Sequence, residues 1–377
     1  MNNVFKTIIV GAGPAGLIAG TYLKDALILE KEKEIGIPVQ CAEGISQESL
    51  ERQGIKPNPA WISTIINTIE IYIASGRKAS FKSEKLGYII DRPAFEKALA
   101  QKCKAEIKLN SKVVRIEKGG DFWKIKTAQG EVFQSEYLIG ADGPLSIVRT
   151  KLFPEEKIEV LPTYEYLVEL EKEIPVSVMK MYFDKERFPE GYVWIFPKSK
   201  NRANIGLGGK NNLGQRFKYF MEKFVKPEFG NYKLLENRSG TITWGGVKIR
   251  LYKDKVFLVG DAGALVDPIL GGGMNNAMVS AKIAAQCILS NTPYAFEKKI
   301  KSLPFFSPDL IVAQKILYSL SNSVLNELVE ALNKKGLSAF ETLSGVLNLI
   351  RTPELRRNAF KITKLFFILR KSGTNFG

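Results

Sequence analysis

One stretch near the start of the chain, KTIIVGAGPAGLIAGTYLKDALILEKE, restricts the fold more than any other part of the sequence. An apolar strand precedes the glycines Gly11, Gly13 and Gly16, a helix follows them, and a second apolar strand, Ala26–Leu29, ends at Glu30. Glycines at this spacing allow a tight turn and bring the backbone close to a pyrophosphate at the helix N-terminus. Glu30, nineteen residues after Gly11, can accept hydrogen bonds from the hydroxyls of an adenosine ribose. The stretch therefore predicts a dinucleotide-binding βαβ unit.

Two later segments each show an apolar strand that runs into glycine and aspartate. YLIGADGPLSIVR, residues 137–149, leads through an ADG segment to the start of a helix. The second segment has a strand at Val256–Val259, a GD pair, the glycines Gly271–Gly273 and a helix from about Met274. Backbone N–H groups at such a helix end suit an electron-rich group of a ligand, although a glycine hinge before a packed helix is the plainer alternative.

With these motifs in this order, the sequence resembles the flavoprotein family built like p-hydroxybenzoate hydroxylase. The resemblance implies bound FAD, and it implies by position that Asp261 contacts the ribityl chain. Together the motifs and the resemblance predict contacts to FAD from Gly11, Gly13, Pro14, Ala15, Gly16, Glu30, Cys41, Ala42, Gly44, Arg92, Val114, Asp142, Gly143, Asp261, Pro268, Gly271, Gly272, Gly273 and Met274.

The nucleotide motifs are separated by long strand-like insertions, so the predicted domains are discontinuous. We expect an α/β protein in which a Rossmann-like FAD-binding domain carries an inserted antiparallel β-sheet domain for the substrate, followed by a helical C-terminal region. The predicted ranges are 1–60, 87–155 and 250–296 for the FAD-binding domain, 61–86 and 156–249 for the substrate domain, and 297–377 for the helical region.

Three further motifs narrow the family. PVQCAEG follows the second strand, GYVWIFP occupies residues 191–197, and GLGG occupies residues 206–209. With these motifs the sequence resembles the geranylgeranyl reductases, especially the archaeal enzymes that saturate the isoprenoid chains of membrane lipids. The resemblance implies that reduced FAD hydrogenates C=C bonds of geranylgeranyl chains.

The stretch GYVWIFP puts three rings at alternate positions of a predicted strand. If the strand returns through the loop 199–201, with Asn201 in the left-handed conformation, Tyr192 lies opposite Gly208, Trp194 opposite Gly206 and Phe196 opposite Asn204. Rings opposite glycines either leave a trough for a lipid chain or fold over the glycines as ordinary core. The residues predicted to contact substrate are Tyr192, Trp194, Phe196, Pro197, Gly206 and Gly208.

Reduction of an unactivated alkene requires a proton as well as a hydride. The chain has no histidine, which removes the commonest acid, nucleophile partner and metal ligand, and we predict no metal site. Cys41, in a glycine-flanked loop near the expected flavin, is one candidate proton donor, with an inert buried thiol as the alternative reading. Glu43 and Tyr192 are the other two candidates.

The chain carries a net charge of +16, and residues 351–377 contain seven basic and one acidic residue. Apolar residues recur there at helical spacing, which favours either an amphipathic helix on an anionic membrane surface or a helix packed on the protein. A nucleic-acid partner is disfavoured because no nucleic-acid-binding motif accompanies the charge. No signal peptide or membrane span is recognisable, so we expect a cytoplasmic protein that lies peripherally on the inner face of the cell membrane.

Two other functions remain open on the sequence. A flavin mono-oxygenase of the same fold would hydroxylate an aromatic substrate, and a prenyl-binding carrier would bind the lipid without catalysis. The complete set of predicted flavin contacts argues against the carrier, and PVQCAEG and GYVWIFP argue against the hydroxylase by resemblance. The electron donor is left open among reduced nicotinamide, ferredoxin and other carriers.

Overall fold

The computed structural model describes residues 3–244, 249–335 and 352–371, and over these residues it contains two eight-stranded β-sheets and twelve α-helices. The strands are β1 (Val4–Val10), β2 (Ala26–Leu29), β3 (Gly44–Ser46), β4 (Ile62–Ile73), β5 (Lys78–Ile90), β6 (Glu106–Lys108), β7 (Val113–Gly119), β8 (Phe122–Thr127), β9 (Val132–Gly140), β10 (Glu159–Leu170), β11 (Val178–Phe183), β12 (Val193–Pro197), β13 (Arg202–Gly208), β14 (Tyr232–Trp244), β15 (Tyr252–Lys253) and β16 (Val256–Leu258). The helices are α1 (Pro14–Tyr22), α2 (Gln47–Arg52), α3 (Arg92–Ala100), α4 (Ile147–Leu152), α5 (Leu213–Phe220), α6 (Lys226–Phe229), α7 (Met274–Leu289), α8 (Phe296–Lys301), α9 (Asp309–Ser319), α10 (Asn322–Lys335), α11 (Pro353–Arg357) and α12 (Ala359–Lys371).

The first sheet brings the three nucleotide motifs together. Its order is β15-β16-β9-β1-β2-β6, with β8 also paired to β9 and β7 to β8. The strands β16, β9, β1, β2 and β6 run parallel to one another, whereas β15 and β8 are antiparallel to β16 and β9. Because β1, β9 and β16 end at Val10, Gly140 and Leu258, the segments that follow them meet at one edge of the sheet. Ile8 and Leu27 are fully buried, as expected of parallel strands covered on both faces.

The second sheet contains the strands of both insertions, in the order β14-β10-β13-β12-β11-β4-β5-β3. All its pairs are antiparallel except β11 with β4, which are parallel. The prediction of an inserted antiparallel sheet is therefore confirmed, with one parallel pair added. The strand β5 belongs to the second sheet and continues past residue 86, the predicted end of the insertion, to Ile90. The predicted domain boundary therefore falls inside an unbroken strand.

The strand β12, which carries the GYVWIFP rings, is buried on both faces. Val193 and Ile195 belong to the core beneath α5, which includes Phe217 and Phe220. Trp194 and Phe196 point to the opposite face, where they form a second cluster with Met181, Phe183, Ile66 and Ile89. This second cluster also contacts Ala42 and Leu270, which belong to the segments predicted to hold the flavin.

The C-terminal helices pack on the second sheet. Leu355, Ile362 and Leu369 are buried, Phe366 is partly buried, and all lie in a cluster with Ile73 and Phe81 of β4 and β5. The apolar stripe predicted for residues 351–377 thus packs on the protein, although Arg351 and residues 372–377 lie outside the described residues. Within the described ranges, no helix is both long and apolar enough to cross a bilayer.

Candidate active site

The glycine turn after β1 leaves open space at the start of α1. Gly11 has φ +100°, and a Cβ there would lie 2.5 Å from the carbonyl oxygen of Ala141, while a Cβ on Gly16 would lie 1.9 Å from that of Gly11. A Cβ on Gly13, in contrast, would meet no atom within 4 Å. Gly13 caps α1 without a side-chain hydrogen bond, and Pro14 and Ala15 form the first turn. An uncapped helix start with free space before it fits a pyrophosphate.

Glu30 is oriented by the backbone around it. Its Oε2 accepts the N–H of Ala12 at 2.6 Å and its Oε1 accepts the N–H of Glu32 at 3.0 Å. The side chain is 9% exposed at the carboxyl end of β2, where a ribose beside the pyrophosphate would lie. Val114, another predicted cofactor contact, lies on β7 and is 42% exposed.

A second uncapped helix start lies beside Asp261. α7 begins at Met274, its N-cap Gly273 supplies no side-chain bond, and a Cβ on Gly272 would meet nothing within 4 Å. A Cβ on Gly273 would lie 3.2 Å from Oδ1 of Asp261. Removal of water raises the pKa of Asp261 to about 6, with Arg92 and Arg149 acting in the opposite direction.

The loop between Asp261 and α7 is closed by its own bonds. Gly271 has φ +73° and donates to the carbonyl of Asp267, and the carbonyl of Pro268 accepts from Nε2 of Gln314 on α9 at 2.6 Å. The helical C-terminal region thereby holds the predicted flavin loop in place.

The ADG segment is fixed mainly by the side chain of Asp142. Its oxygens accept from Ser146 Oγ at 2.6 Å and from the N–H groups of Ile147 and Val148, so the carboxylate caps α4. A Cβ on Gly143 would meet nothing within 4 Å, so this residue borders open space.

Arg149 ties the ADG segment to the GD segment. It is 4% exposed and donates to the carbonyls of Pro144 at 2.6 Å and Ala262 at 2.8 Å. We did not predict a role for Arg149, although the arginine itself lies within the motif that we singled out.

The predicted cofactor residues therefore fit FAD on geometric grounds. Two uncapped helix starts face open space, and an acidic residue stands beside each of them. Arg92, at the start of α3, interacts electrostatically with both Cys41 and Asp261, which places the PVQCAEG loop at the same centre.

Glu43 holds the PVQCAEG loop against the second sheet. It has φ +68° and is 1% exposed. Its Oε1 accepts the N–H of Arg92 at 2.9 Å, and its Oε2 accepts from Asn204 Nδ2 at 2.7 Å, Lys198 Nζ at 2.9 Å and Arg238 Nη1 at 3.3 Å. Burial raises the pKa of Glu43, but Lys198 and the hydrogen bonds outweigh it, so the pKa lies below its ordinary value. Glu43 is therefore ionised at neutral pH.

A row of four residues, one on each of four adjacent strands, lies next to Glu43. Arg238, Glu165, Gly206 and Trp194 are successive cross-strand neighbours on β14, β10, β13 and β12. Arg238 Nη1 donates to Glu165 Oε1 at 3.2 Å, and Trp194 Nε1 donates to Glu165 Oε2 at 2.8 Å. Burial raises the pKa of Glu165 to about 7, against the effects of Trp194 and Arg238.

Lys198, Asn204, Glu165 and Arg238 were missed as site residues. The sequence did contain a signal for the first two, because Lys198 directly follows GYVWIFP and Asn204 was predicted to lie opposite Phe196. Glu165 and Arg238 gave no sequence signal, since the strands that hold them join only through the sheet.

The other two candidate acids differ in their hydrogen bonds. Tyr192 donates its hydroxyl to the carbonyl of Leu270 at 2.6 Å, and burial raises its pKa. The sulfur of Cys41 is partly accessible and accepts the N–H of Glu43 at 3.2 Å. Removal of water raises the pKa of the Cys41 thiol despite Arg92, so the thiol keeps its proton at neutral pH.

The hairpin that carries the rings has the predicted register. Trp194 pairs with Gly206 and Phe196 with Asn204, as predicted, but the ladder ends at Val193, so the predicted pair of Tyr192 with Gly208 is not formed. The prediction that Asn201 adopts the left-handed conformation was wrong, because Asn201 has no positive φ. The Oγ of Ser199 accepts the N–H of Arg202 at 3.1 Å, and the carbonyl of Asn201 accepts the N–H of Leu170, so the loop closes by other bonds.

Of the two uses that the sequence left open, Trp194 shows packing over a glycine. Trp194 folds over Gly206, where an added Cβ would lie 2.5 Å from its ring, so this pair is packed. Gly208 has no ring over it, and its nearest neighbour is Leu161 at 3.3 Å. The ring of Phe196 lies 3.1 Å from the Cβ position of Gly44, beside the Cys41 loop, and Pro197 accepts a hydrogen bond from Thr64.

The chain is similar in sequence to known proteins over most of its length. Residues 159–242 match the family model described as geranylgeranyl reductase catalytic domain. The chain is 34% identical over 382 residues to digeranylgeranylglycerophospholipid reductase 1 of Methanopyrus kandleri, covering 91% of this chain and 98% of that protein. It is 30% identical to digeranylgeranylglycerophospholipid reductase of Methanocaldococcus jannaschii, covering 89% and 92%.

Solved structures show the same fold. A geranylgeranyl bacteriochlorophyll reductase-like protein from Thermoplasma acidophilum superposes with a TM-score of 0.83 at 27% identity, covering 96% of this chain and all of that one. The halogenase PltM, solved with phloroglucinol and FAD, has a TM-score of 0.62 at 13% identity, covering 98% and 96%, which shows the fold alone. The predicted fold class is thereby confirmed.

Proposed function

The chain belongs to the geranylgeranyl reductase family, and we propose that it is an FAD-dependent reductase that saturates the geranylgeranyl chains of a glycerophospholipid precursor of archaeal membranes. One observation carries the proposal. The Cys41–Gly44 loop lies between the predicted flavin contacts and the ring-bearing strand, and Glu43 bonds it to both through Arg92 and Lys198. A thiol and an apolar surface therefore meet where the flavin ring is expected.

The cofactor would be held mainly by backbone. The uncapped N-terminus of α1 would bind the pyrophosphate, Glu30 the ribose, and the N–H groups from Gly272 to Met274 the flavin edge. Asp261 lies beside that edge with a raised pKa, which allows it to accept or donate to ribityl hydroxyls near neutral pH. Bound FAD in its reduced form would supply the hydride.

The substrate would lie on the apolar face of the second sheet. The buried Met181, Phe183 and Phe196 and the partly buried Tyr192 form an apolar cluster. A lipid chain that entered this cluster would lie against an apolar surface that ends at the Cys41 loop. Such a surface orients a hydrocarbon chain without polar contacts and excludes water from the reacting carbons. Trp194 supports this surface, since its indole is fixed to Glu165 and does not swing freely.

Cys41 is the best proton donor of the three candidates. Glu43 is ionised, and the Tyr192 hydroxyl is already donated to a carbonyl, whereas the Cys41 thiol is protonated. The S–H bond would break as a C–H bond forms at one alkene carbon, while the hydride adds to the other carbon. The charge of Arg92 would stabilise the resulting thiolate until water returns the proton.

The test is a single-turnover reaction under anaerobic conditions. Purified protein is loaded with FAD, reduced with dithionite and mixed with a geranylgeranylated glycerophospholipid, and the lipid is analysed by mass spectrometry. The proposal expects a gain of about 2 mass units per double bond with reoxidation of the flavin. An oxygen-dependent gain of about 16 units would identify a mono-oxygenase, and binding without any mass change would identify a carrier.

A further inference from the structure

One face of α12 exposes two aromatic rings to solvent. Phe360 is 80% exposed and Phe367 is 68% exposed. With Lys364 and Lys371 they occupy positions i, i+4, i+7 and i+11, which lie on one side of a helix. Both lysines are exposed as well. We refer to these four residues as the outer face of α12.

This face is distinct from the apolar stripe that packs on the protein. Ile362, Leu365 and Leu369 are buried on the opposite side of the same helix, so the packing of α12 is complete without Phe360 and Phe367. Phe360 and Phe367 are two turns apart on one face, so they form a joint exposed apolar patch, and such patches rimmed by polar residues mark interaction sites. The apolar stripe that suggested a membrane contact in the sequence is therefore buried against the protein. The outer face is the part of α12 that remains available to contact a membrane.

The charge of this region indicates an anionic partner. Residues 359–371 contain four basic and no acidic residues, and the single described ion pair on the outer face, between Lys371 and Asp309, is long at 3.8 Å and exposed. Aromatic rings flanked by lysines on a helix surface match the interface of an anionic bilayer, where rings enter the acyl boundary and ammonium groups meet phosphate.

The position of α12 connects this face with the active site. Phe366 and Leu365 pack in the cluster that contains Ile69, Ile71 and Leu270, and these three residues also belong to the cluster of Trp194 and Phe196. Apolar side chains are therefore continuous from α12 to the ring-bearing strand.

We propose that the outer face of α12 docks on an anionic lipid bilayer and so holds the apolar seam of Ile69, Ile71 and Leu270, behind α12, close to the membrane from which the seam receives a lipid chain. The docking stands on the exposed rings and lysines, and the feeding of the chain rests on the proposed reductase function. The occupant is a bilayer rather than a protein because the substrate class is itself a membrane lipid and the charge has the matching sign.

The docking is tested by sedimentation of the FAD-loaded protein with vesicles. We expect binding to vesicles that contain phosphatidylglycerol, weaker binding to pure phosphatidylcholine, and release by salt. Phe360→Ser/Phe367→Ser should lower the partition coefficient at least about tenfold. The matched control is Tyr294→Ser/Phe122→Ser, which removes two exposed rings outside α12. Equal binding of wild type and the α12 variant, or no binding by wild type, overturns the docking.

A second measurement separates docking from catalysis. With substrate dispersed in detergent, wild type and Phe360→Ser/Phe367→Ser should reduce the lipid at equal rates, because neither ring lies in the active site. With substrate embedded in anionic vesicles, the variant should be at least about tenfold slower. Equal rates in vesicles overturn the feeding role. Absence of reduction by wild type in detergent overturns the reductase function and leaves the sedimentation result to decide the docking.

Discussion

The indole N–H of Trp194 donates to Oε2 of Glu165 at 2.8 Å, and the ring crosses the backbone of Gly206 to reach it. The three residues lie on adjacent strands at one level of the sheet. The glycine is needed because any side chain there would occupy the space of the ring. A polar bond beneath the predicted substrate surface thus fixes the orientation of its largest side chain.

Gly206→Ala is expected to destabilise the protein by about 2 kcal/mol, since the new methyl group would lie 2.5 Å from Trp194 and 2.7 Å from the backbone oxygen of Tyr164. Urea unfolding and Trp fluorescence would measure the loss and the displaced indole. Gly208→Ala is the matched control, because its Cβ would meet Leu161 at 3.3 Å and nothing closer. Equal stability of the two variants would contradict the packing of Trp194 on Gly206.

Glu165→Gln should change how stability depends on pH. The pKa of Glu165 rises from 4.5 to about 7 on folding, so its favourable contribution is complete below pH 4.5 and is lost as the pH rises through about 7. The glutamine does not ionise, so relative to wild type the variant should gain up to about 3 kcal/mol between pH 5 and pH 8. Unfolding midpoints of both proteins across this range give the difference, and parallel curves would refute a titrating Glu165.

Glu43→Gln should lower stability more than turnover. Removing the charge leaves the mostly buried Lys198 without its carboxylate partner, which costs about 3 kcal/mol, whereas Arg238 keeps Glu165 and Glu236. The control Glu169→Gln, which weakens an exposed pair with Arg202, should cost less than about 1 kcal/mol. If Glu43→Gln keeps full stability and loses turnover by about a hundredfold or more, Glu43 is a proton donor after all.

Cys41→Ala should slow the reduction of the lipid by about a hundredfold or more while FAD remains bound. The reason is that the thiol is the protonated group beside the expected flavin. Single-turnover reoxidation of reduced flavin measures the step, and the flavin spectrum checks cofactor content. Cys103→Ala serves as control, since that sulfur donates to the carbonyl of Leu17 within the βαβ unit. Full activity of Cys41→Ala would remove the thiol from the mechanism.

Gly13→Ala should weaken FAD binding without destabilising the apoprotein. A methyl group at Gly13 meets no protein atom within 4 Å and projects into the space where the pyrophosphate is expected. Gly16→Ala, whose methyl group would lie 1.9 Å from the carbonyl of Gly11, should lose both FAD and stability. Calorimetric titration with FAD and thermal melts of the apoproteins distinguish the two. Wild-type affinity in Gly13→Ala would place the phosphates elsewhere.

Local patterns predicted much of this structure. The start of α7 at Met274, the second strand at Ala26–Leu29 and the pairing of Trp194 with Gly206 follow from glycine placement and strand alternation, which act over a few residues. Capping of α3 by Asp91, which accepts the N–H of Ala94 at 2.9 Å, is a signal of the same kind.

The polar centre could not be predicted in this way. Glu43 is bonded by side chains from residues 198, 204 and 238, and no spacing rule connects positions so far apart. The left-handed conformation predicted for Asn201 was wrong for a related reason. Ser199 and the neighbouring β10 close the loop, so no left-handed residue is needed. Contacts made only by the assembled sheet are invisible to local reasoning.

The parallel pairing of β11 with β4 bears on the order in which the chain assembles. Val178 lies beside Thr68, and Val256 beside Leu138, so strands more than a hundred residues apart must meet before either sheet is complete. Closing loops of that length delays folding, because the entropy is lost before the contacts form. During synthesis, the edge of β4 that pairs with β11 therefore stays unpaired until β11 has left the ribosome. Chaperone protection matters most during that interval.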